Sequence, residues 1–239
     1  MVRLGEDFVF PSPRSADSHG IVAYGGDLNP QRIIQAYKNG IFPWFESDDD
    51  LLWWSPDPRM VLYPEKIKVS KSLKSFIKKT TLKVTFNNDF EEVINSCSNI
   101  KRLGQKGTWI TPGLKKSFTK LHEMGLAISV EVWKNSEIVG GLYGLDLGDV
   151  FCGESMFSKS TNASKLALVS LSRELKKNNY RLIDCQVPSE HLKSMGAEEI
   201  SREEFLKILI KYGGKMSVAR ITTLNFKNKE DADKSIEEF

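Results

Sequence analysis

ISVEVW (residues 128–133), IVGGLYGL (138–145) and VFCGESMF (150–157) are three apolar runs separated by short polar segments. Each run has the length of a strand, and the first alternates apolar and polar residues as a half-buried strand does. Asn135 and Ser136, between the first two runs, are typical of a tight turn. The spacing therefore predicts three consecutive strands of an antiparallel meander.

Helical patterns flank this meander on both sides. The sequence predicts further elements over residues 70–79 (a basic helix), 82–86 (strand), 89–96 (helix), 112–124 (helix between Thr111 and Gly125), 163–177 (helix capped by Asn162), 181–185 (strand), 189–195 and 203–212 (helices). This order indicates an α+β fold with a mostly antiparallel sheet flanked by helices, and acyltransferases of the N-acetyltransferase fold share it.

The first sixty residues or so differ from the rest, because they are dense in proline, glycine and aromatic residues. One helix is predicted there, since Asn29 is a good N-cap, Pro30 suits the first helical position and Gly40 suits the C-terminal cap. The remainder is interpreted as loops pinned by aromatic side chains. We expect a small N-terminal domain over residues 1–62, an N-acetyltransferase-like domain over 63–216, and a charged tail over 217–239.

Composition narrows the class of protein. A net charge of +3 permits a nucleic-acid partner without requiring one. The three cysteines are widely spaced and lack the spacing of a metal site, so we expect no disulfide, no metal and a reducing compartment. With no signal segment and no long apolar span, the sequence predicts a cytoplasmic protein that neither enters a membrane nor binds DNA.

The run Leu182-Ile183-Asp184-Cys185-Gln186 carries the chemistry most clearly. If the strand alternates regularly, Asp184 and Gln186 point to one face and Cys185 to the other. Polar side chains at a strand end are a common position for catalysis in α/β enzymes. A structural polar pair that caps the strand explains the same pattern, and the run alone does not separate these readings.

Several motifs together resemble those of the leucyl/phenylalanyl-tRNA–protein transferase family. They run in order from about Phe10 to Leu209, and they are GGDL (25–28), GIFPWF (40–45), WWSPDPR (53–59), GTWIT (107–111), FCGESMFS (151–158), NASK (162–165) and DCQ (184–186). The resemblance implies an enzyme that moves Leu, Phe or sometimes Met from its tRNA to the N-terminal amine of a protein beginning with Arg or Lys. The product would be marked for N-degron degradation, and no cofactor is implied.

The resemblance also assigns residues to roles. It places Asp184 and Gln186 at the reaction centre, with Asp184 orienting the Gln186 amide. Glu154 is expected to hold the α-amino group of the aminoacyl moiety or to shape its pocket. Trp44 and Trp109, with Tyr37 nearby, are candidates for stacking on the terminal adenosine. The apolar pocket for the aminoacyl side chain is expected to be lined by Leu142, Phe151, Gly153, Ser155, Leu171 and Ile183.

Two basic clusters are candidates for the phosphates of the tRNA acceptor stem. The first lies on the predicted basic helix and the second just before Trp109, and their members are Lys71, Lys74 and Lys78, and Lys101, Arg102 and Lys106. Charge runs are more often solvated faces.

Two other functions remain open: a CoA-dependent N-acetyltransferase-like enzyme and a non-catalytic RNA-binding module. Against the first, residues 158–163 contain none of the glycines that hold a CoA pyrophosphate at a helix N-terminus.

Overall fold

The computed structural model describes residues 1–100 and 108–213. In chain order its strands and helices are β1 Val2–Leu4, β2 Ile21–Gly25, α1 Pro30–Lys38, β3 Phe42–Pro43, β4 Leu52–Trp54, β5 Arg59–Leu62, α2 Lys71–Lys79, β6 Lys83–Phe86, α3 Phe90–Asn99, α4 Pro112–Glu123, β7 Ala127–Lys134, β8 Glu137–Asp146, β9 Val150–Ser158, α5 Ala163–Lys177, β10 Leu182–Gln186, α6 Glu190–Ser194, β11 Glu198–Ile200 and α7 Arg202–Tyr212. The predicted tail over 217–239 lies outside the described residues.

The main sheet has seven strands in the order β11-β5-β10-β9-β8-β7-β6. The predicted meander forms its centre, since β7, β8 and β9 pair as antiparallel neighbours. Among the strands of this sheet that the described residues form, only the β10–β9 pair is parallel. This arrangement confirms the predicted α+β class and the mostly antiparallel sheet.

Helices cover both faces of this sheet because its central strands are apolar on both sides. Leu142 of β8 packs in one apolar core with Leu171 of α5. Its neighbour Tyr143 packs in the other core with Phe90 of α3 and Phe118 of α4. The alternation of side chains along β8 therefore feeds two cores, one on each face.

The N-terminal segment is more regular than the sequence indicates. A second sheet, in the order β1-β2-β4-β3, forms where loops were predicted. Its strands are only a few residues long and are interrupted by prolines and glycines, so no periodic pattern develops. Trp53 of β4 is fully buried and donates from Nε1 to the Gly25 carbonyl at 2.9 Å. The aromatic residues thus stabilise a small sheet rather than isolated loops.

Helix starts follow the predicted caps with one exception. The side chains of Asn29 and Thr111 accept hydrogen bonds from the backbone N–H groups of Gln31 and Leu114, as N-caps do. Asn162 makes no such bond, because its backbone is in the left-handed region with φ 62°. The Ser158 hydroxyl accepts the Ser164 N–H instead. Asn162 is therefore the N-cap residue of α5, as predicted, but its side chain makes no cap hydrogen bond.

The predicted domain boundary cuts through one sheet. Strand β5 lies on the N-terminal side of residue 62, yet it pairs with β10 and β11 in the seven-stranded sheet. Its residues Met60, Val61 and Leu62 are fully buried there. The large sheet therefore begins at Arg59, while the division into a small and a large domain stays a prediction.

No helix within residues 1–100 and 108–213 is long and apolar enough to cross a membrane.

Two facing glycines of the β8–β9 ladder give a test of this packing. A Cβ at Gly144 would lie 2.2 Å from the Cys152 carbonyl oxygen, whereas at Gly153 its nearest neighbours are 3.7 Å away. We expect Gly144→Ala to lower the free energy of unfolding by about 2–3 kcal/mol, because backbone must move to admit the methyl group. Gly153→Ala is the matched control and should change it by less than about 1 kcal/mol. Urea unfolding measures both variants, and equal losses in their free energies of unfolding would contradict the close packing at Gly144.

Candidate active site

A cavity of about 400 Å³ opens beside the middle of β9 and the C-terminal end of β10. Its lining is mostly apolar and also carries a buried amide, a buried carboxylate and two partly exposed tryptophans, a combination typical of ligand sites. The lining residues are Phe42, Pro43, Trp44, Trp109, Leu142, Tyr143, Phe151, Gly153, Glu154, Ser155, Met156, Leu168, Leu171, Ile183, Cys185, Gln186, Val187, Ser189, His191 and Leu192.

Most of the residues predicted for substrate binding line this one cavity. The structure brings together the pocket residues from β8, β9, α5 and β10 with both predicted stacking tryptophans and Gln186. Two predicted site residues, Tyr37 and Asp184, lie behind its wall. Lys71, Lys74 and Lys78 sit on α2 and do not line the cavity, while Lys101, Arg102 and Lys106 lie outside the described residues.

Strand β10 does not alternate regularly at its end. The register against β5 shifts between Asp184 and Gln186, and Gln186 has a φ of 64°. This bulge turns Gln186 into the cavity beside Cys185, whereas Asp184 is fully buried away from it. The prediction that Asp184 and Gln186 share a face opposite Cys185 is therefore wrong, because it assumed an unbroken strand.

Asp184 is paired with an arginine that sequence reasoning missed as a site residue. Arg59 donates from Nε and Nη2 to the two carboxylate oxygens of Asp184 at 2.8 and 2.7 Å, and both side chains are buried. Burial disfavours the charge of Arg59, but the Asp184 carboxylate outweighs this and raises the pKa of the guanidinium. The sequence contained a clue to this ion pair. An acid on an apolar strand needs a cationic partner, and Arg59 is the last residue of the WWSPDPR motif.

Asp184 reaches Gln186 through the backbone. Its Oδ1 accepts the Gln186 N–H at 3.0 Å. This bond stabilises the left-handed backbone of Gln186, a conformation that costs free energy for a residue with a Cβ. Asp184 therefore contacts Gln186 through its backbone, whereas the prediction placed the effect directly on the side-chain amide.

The Gln186 amide is oriented by Glu154 instead. Gln186 donates from Nε2 to Glu154 Oε1 at 2.9 Å, and the Tyr37 hydroxyl donates to the same oxygen at 2.7 Å. A carboxylate accepts only from the nitrogen of the amide, so this bond fixes which end of the amide faces Glu154. The carbonyl oxygen of Gln186 is thereby left for a bound substrate.

Within residues 1–100 and 108–213, Glu154 is a buried acid without a direct ion pair. Burial raises its pKa from 4.5 to about 7, although the hydrogen bonds from Tyr37 and Gln186 lower it. Burial and the Glu154 carboxylate raise the pKa of Tyr37. Tyr37 is only 1% exposed and does not line the cavity, so its expected part in substrate binding stays a prediction.

The rim is formed by two tryptophans from different parts of the chain. Trp44 is 37% exposed and is held by Trp54, which donates from Nε1 to the Trp44 carbonyl and packs on its ring at 5.4 Å. Trp109 lies just before α4. Partly exposed, anchored aromatic rings at a cavity rim suit stacking on a flat group.

Among the described residues, no group of three or more His, Cys, Asp or Glu is arranged to hold a metal ion.

Comparison with known proteins places this chain in a family. The family model described as leucyl/phenylalanyl-tRNA protein transferase matches residues 61–210, and that of its N-terminal domain matches residues 26–57. These matches define the class of the protein as an aminoacyltransferase. The chain belongs to the leucyl/phenylalanyl-tRNA–protein transferase family, which confirms the resemblance seen in its motifs.

Curated relatives carry the same family name. The transferase of Flavobacterium johnsoniae is 54% identical over 209 residues, which are 87% of this chain and 99% of that protein. The transferase of Flavobacterium psychrophilum is 53% identical over 208 residues, with the same two coverages. The transferase of Syntrophobacter fumaroxidans is 49% identical over 207 residues, covering 87% of this chain and 88% of that protein.

The raised pKa of Glu154 predicts how stability changes with pH. A carboxyl whose pKa rises from 4.5 to about 7 on folding stabilises the fold fully below pH 4.5 and loses that contribution as the pH rises through 7. We expect the free energy of unfolding of the native protein, relative to Glu154→Gln, to fall between pH 5 and about 7.5. Urea unfolding at several pH values measures this difference.

An exposed acid provides the control. Glu137→Gln on the exposed end of β8 should give a difference from the native protein that stays nearly constant over the same pH range. If the Glu154→Gln difference were also constant, Glu154 would not be a buried acid with a raised pKa.

Proposed function

We propose that this chain transfers Leu or Phe, and sometimes Met, from aminoacyl-tRNA to the N-terminal amine of proteins that begin with Arg or Lys. The observation that carries the proposal is the single cavity in which an apolar floor, a fixed carboxamide and two rim tryptophans meet. Transfer of such a residue would mark the acceptor protein for N-degron degradation. The family membership established above supports the reaction class.

The chemistry needs positioning more than strong acid or base. The donor is an ester on the terminal ribose and the acceptor is an amine, so the reaction from ester to amide runs downhill. An α-amino group has a pKa of about 7.7–8.0, so a useful fraction of it is neutral near neutral pH. A group that holds this neutral amine against the ester carbonyl carbon is then sufficient.

The carbonyl oxygen of Gln186 is the group that we assign to this task. It accepts a hydrogen bond from the attacking amine and directs the nitrogen lone pair at the ester carbon. The C–N bond forms and the bond to the ribose oxygen breaks, while the proton lost by the amine passes to the ribose oxygen, with the neighbouring ribose hydroxyl as a relay. Glu154 keeps the amide nitrogen turned away from the amine.

Two groups at the aminoacylated end of the tRNA, the amino-acid side chain and the terminal adenine, each have a matching surface in the cavity. The apolar residues Leu142, Phe151, Leu171 and Ile183 suit an aminoacyl side chain of the size of Leu or Phe. Trp44 and Trp109 suit the terminal adenine, since stacking on an aromatic ring contributes about 1–3 kcal/mol per base. The lysines of α2 would contact phosphates farther along the acceptor stem.

The positive first residue of the acceptor requires an acid near the amine. Three acids are candidates for this role, namely Glu154, Asp184 and Asp146, and we assign it to Glu154. Asp184 is neutralised by Arg59, and Asp146 is buried with bonds from Tyr180 and the Gly148 N–H. Only Glu154 of the three lines the cavity. Its charge above pH 7 favours both the acceptor's cation and the developing positive charge on the amine.

The rival functions lack comparable support. A CoA enzyme would need backbone amides for a pyrophosphate before α5, where Asn162 adopts a left-handed turn and no glycine is present. An RNA-binding module would have no need for a buried Tyr37–Glu154–Gln186 chain at the base of an apolar cavity.

A cytoplasmic location is proposed with the function, since the three free cysteines suit a reducing compartment.

The reaction itself is tested by transfer of radiolabelled Leu from charged tRNA to a peptide with N-terminal Arg. We expect Gln186→Ala to lower the single-turnover rate by about 10²-fold while tRNA affinity changes by less than about threefold, because the amide contacts the amine and not the nucleic acid. Gln31→Ala, on the exposed side of α1, should leave both quantities unchanged. Equal losses of rate and affinity in Gln186→Ala would remove the catalytic assignment.

The apolar floor predicts a change in side-chain selectivity. Leu171 is 1% exposed in the cavity wall, so Leu171→Phe narrows the pocket. The narrower pocket should slow transfer of a Phe side chain more than transfer of the smaller Leu side chain. We expect the ratio of kcat/KM for Phe-tRNA over Leu-tRNA to fall by about tenfold. Leu166→Phe, on the same helix but outside the cavity wall, should keep the native ratio. An unchanged ratio in Leu171→Phe would place the aminoacyl side chain elsewhere.

A further inference from the structure

We propose that Arg59 is a positioning residue for the reaction: through Asp184 it holds Gln186 in the left-handed conformation that aims its amide into the cavity. The inference rests on the proposed function, because it concerns the same Gln186 amide. It adds a residue that touches neither tRNA nor acceptor and yet sets the turnover rate.

The Arg59 guanidinium is fixed on all sides. Its fork makes two hydrogen bonds to Asp184, and Nη1 donates to the Gly40 carbonyl at 3.3 Å. The plane also contacts the rings of Phe42 and Phe205, whose centroids lie 4.8 and 4.5 Å from Cζ. A group held by five contacts from four residues has one orientation, and so does the carboxylate bound to it.

The orientation of the Asp184 carboxylate decides the conformation of Gln186. Oδ1 of Asp184 accepts both the Arg59 Nε–H and the Gln186 backbone N–H. A carboxylate released from the fork can rotate away from that N–H. Gln186 can then return to extended backbone, in which the side chain turns toward the opposite face of the sheet. Loss of Arg59 therefore misplaces the amide without changing a single residue of the cavity wall.

A guanidinium is needed because the interaction is planar and doubly bonded. An ammonium group is a point charge that cannot bond both carboxylate oxygens in parallel or lie flat between two rings. Arg59→Lys would therefore keep the charge in the core but leave the carboxylate free to turn. The Arg59→Lys variant therefore separates positioning of the Asp184 carboxylate from neutralisation of its charge.

Arg32 on α1 provides a control away from the cavity. Its side chain is also fully buried and forms a two-bond pair with one carboxylate, that of the half-exposed Asp27, at 3.1 and 3.2 Å. Its remaining bonds go to the carbonyls of Gly5 and Asp7, and it does not line the cavity. Replacing Arg32 thus removes a buried guanidinium and its bidentate ion pair at a place that has no hydrogen bond to Gln186.

The test compares Arg59→Ala, Arg59→Lys and Arg32→Ala in three measurements: single-turnover transfer of Leu, tRNA binding on filters and thermal unfolding. We expect both Arg59 variants to lose about 10²-fold in rate with tRNA affinity unchanged within about threefold. Arg32→Ala should lose stability to a similar extent while its folded fraction keeps the native rate.

Chemical rescue gives a readout that a purely structural role would not move. Millimolar guanidinium chloride should raise the rate of Arg59→Ala about tenfold or more, because the free ion can reoccupy the slot beside Asp184. Sodium chloride at equal ionic strength should not. Nor should guanidinium rescue Arg32→Ala or the double variant Arg59→Ala with Asp184→Asn, which lacks the carboxylate that binds the ion. If Arg59→Ala does not fold, the rate-to-affinity split of Arg59→Lys decides alone.

The outcomes distinguish the inference from the function on which it rests. Transfer by the native protein, with Arg59→Lys at the native rate or with rate and tRNA affinity falling together, would overturn the role of Arg59 alone. A folded Arg59→Ala that guanidinium does not rescue would do the same. Absence of transfer by the native protein would instead overturn the proposed function.

Discussion

The buried pair of Arg59 and Asp184 joins four elements of the chain. Arg59 is on β5, Asp184 lies 125 residues later on β10, and the two rings that contact the guanidinium come from β3 and from α7. Burying two charges is costly, and breaking such a pair by removing one partner costs about 3–5 kcal/mol. Here each nitrogen of the guanidinium makes a hydrogen bond and both carboxylate oxygens accept one, which offsets that cost.

The site uses this rigidity to solve a problem of orientation. A glutamine amide has two ends of nearly equal shape, and only one of them accepts a hydrogen bond. Two acids share the task of choosing: Asp184 sets the backbone of Gln186 and Glu154 sets its side chain. Tyr37, which the motif resemblance placed near the stacking tryptophans, supports Glu154 from the protein interior. The acid that was expected to contact the amide, Asp184, contacts the backbone, and Glu154 contacts the amide.

The sequence indicated the main sheet and most of the helices, because strands of eight to ten residues and capped helices leave periodic patterns. Strands of two or three residues such as β3 leave none, so the small sheet was missed. The cavity wall was assigned through motif resemblance and the structure brings those residues together. The bulge at Gln186 was not predictable, since it depends on a hydrogen bond from its own backbone to a carboxylate held by Arg59, far away in the sequence.

The position of β10 has a consequence for how the chain is assembled. This strand inserts between β5 and β9, so it pairs with one strand formed early in the chain and with another formed shortly before it. Until β10 arrives, β5 has no strand on that side and β9 presents an open edge in the middle of the future sheet. Such edges bind other extended chains readily. During synthesis, the same segment that carries the Gln186 amide is therefore also the one that covers these two edges.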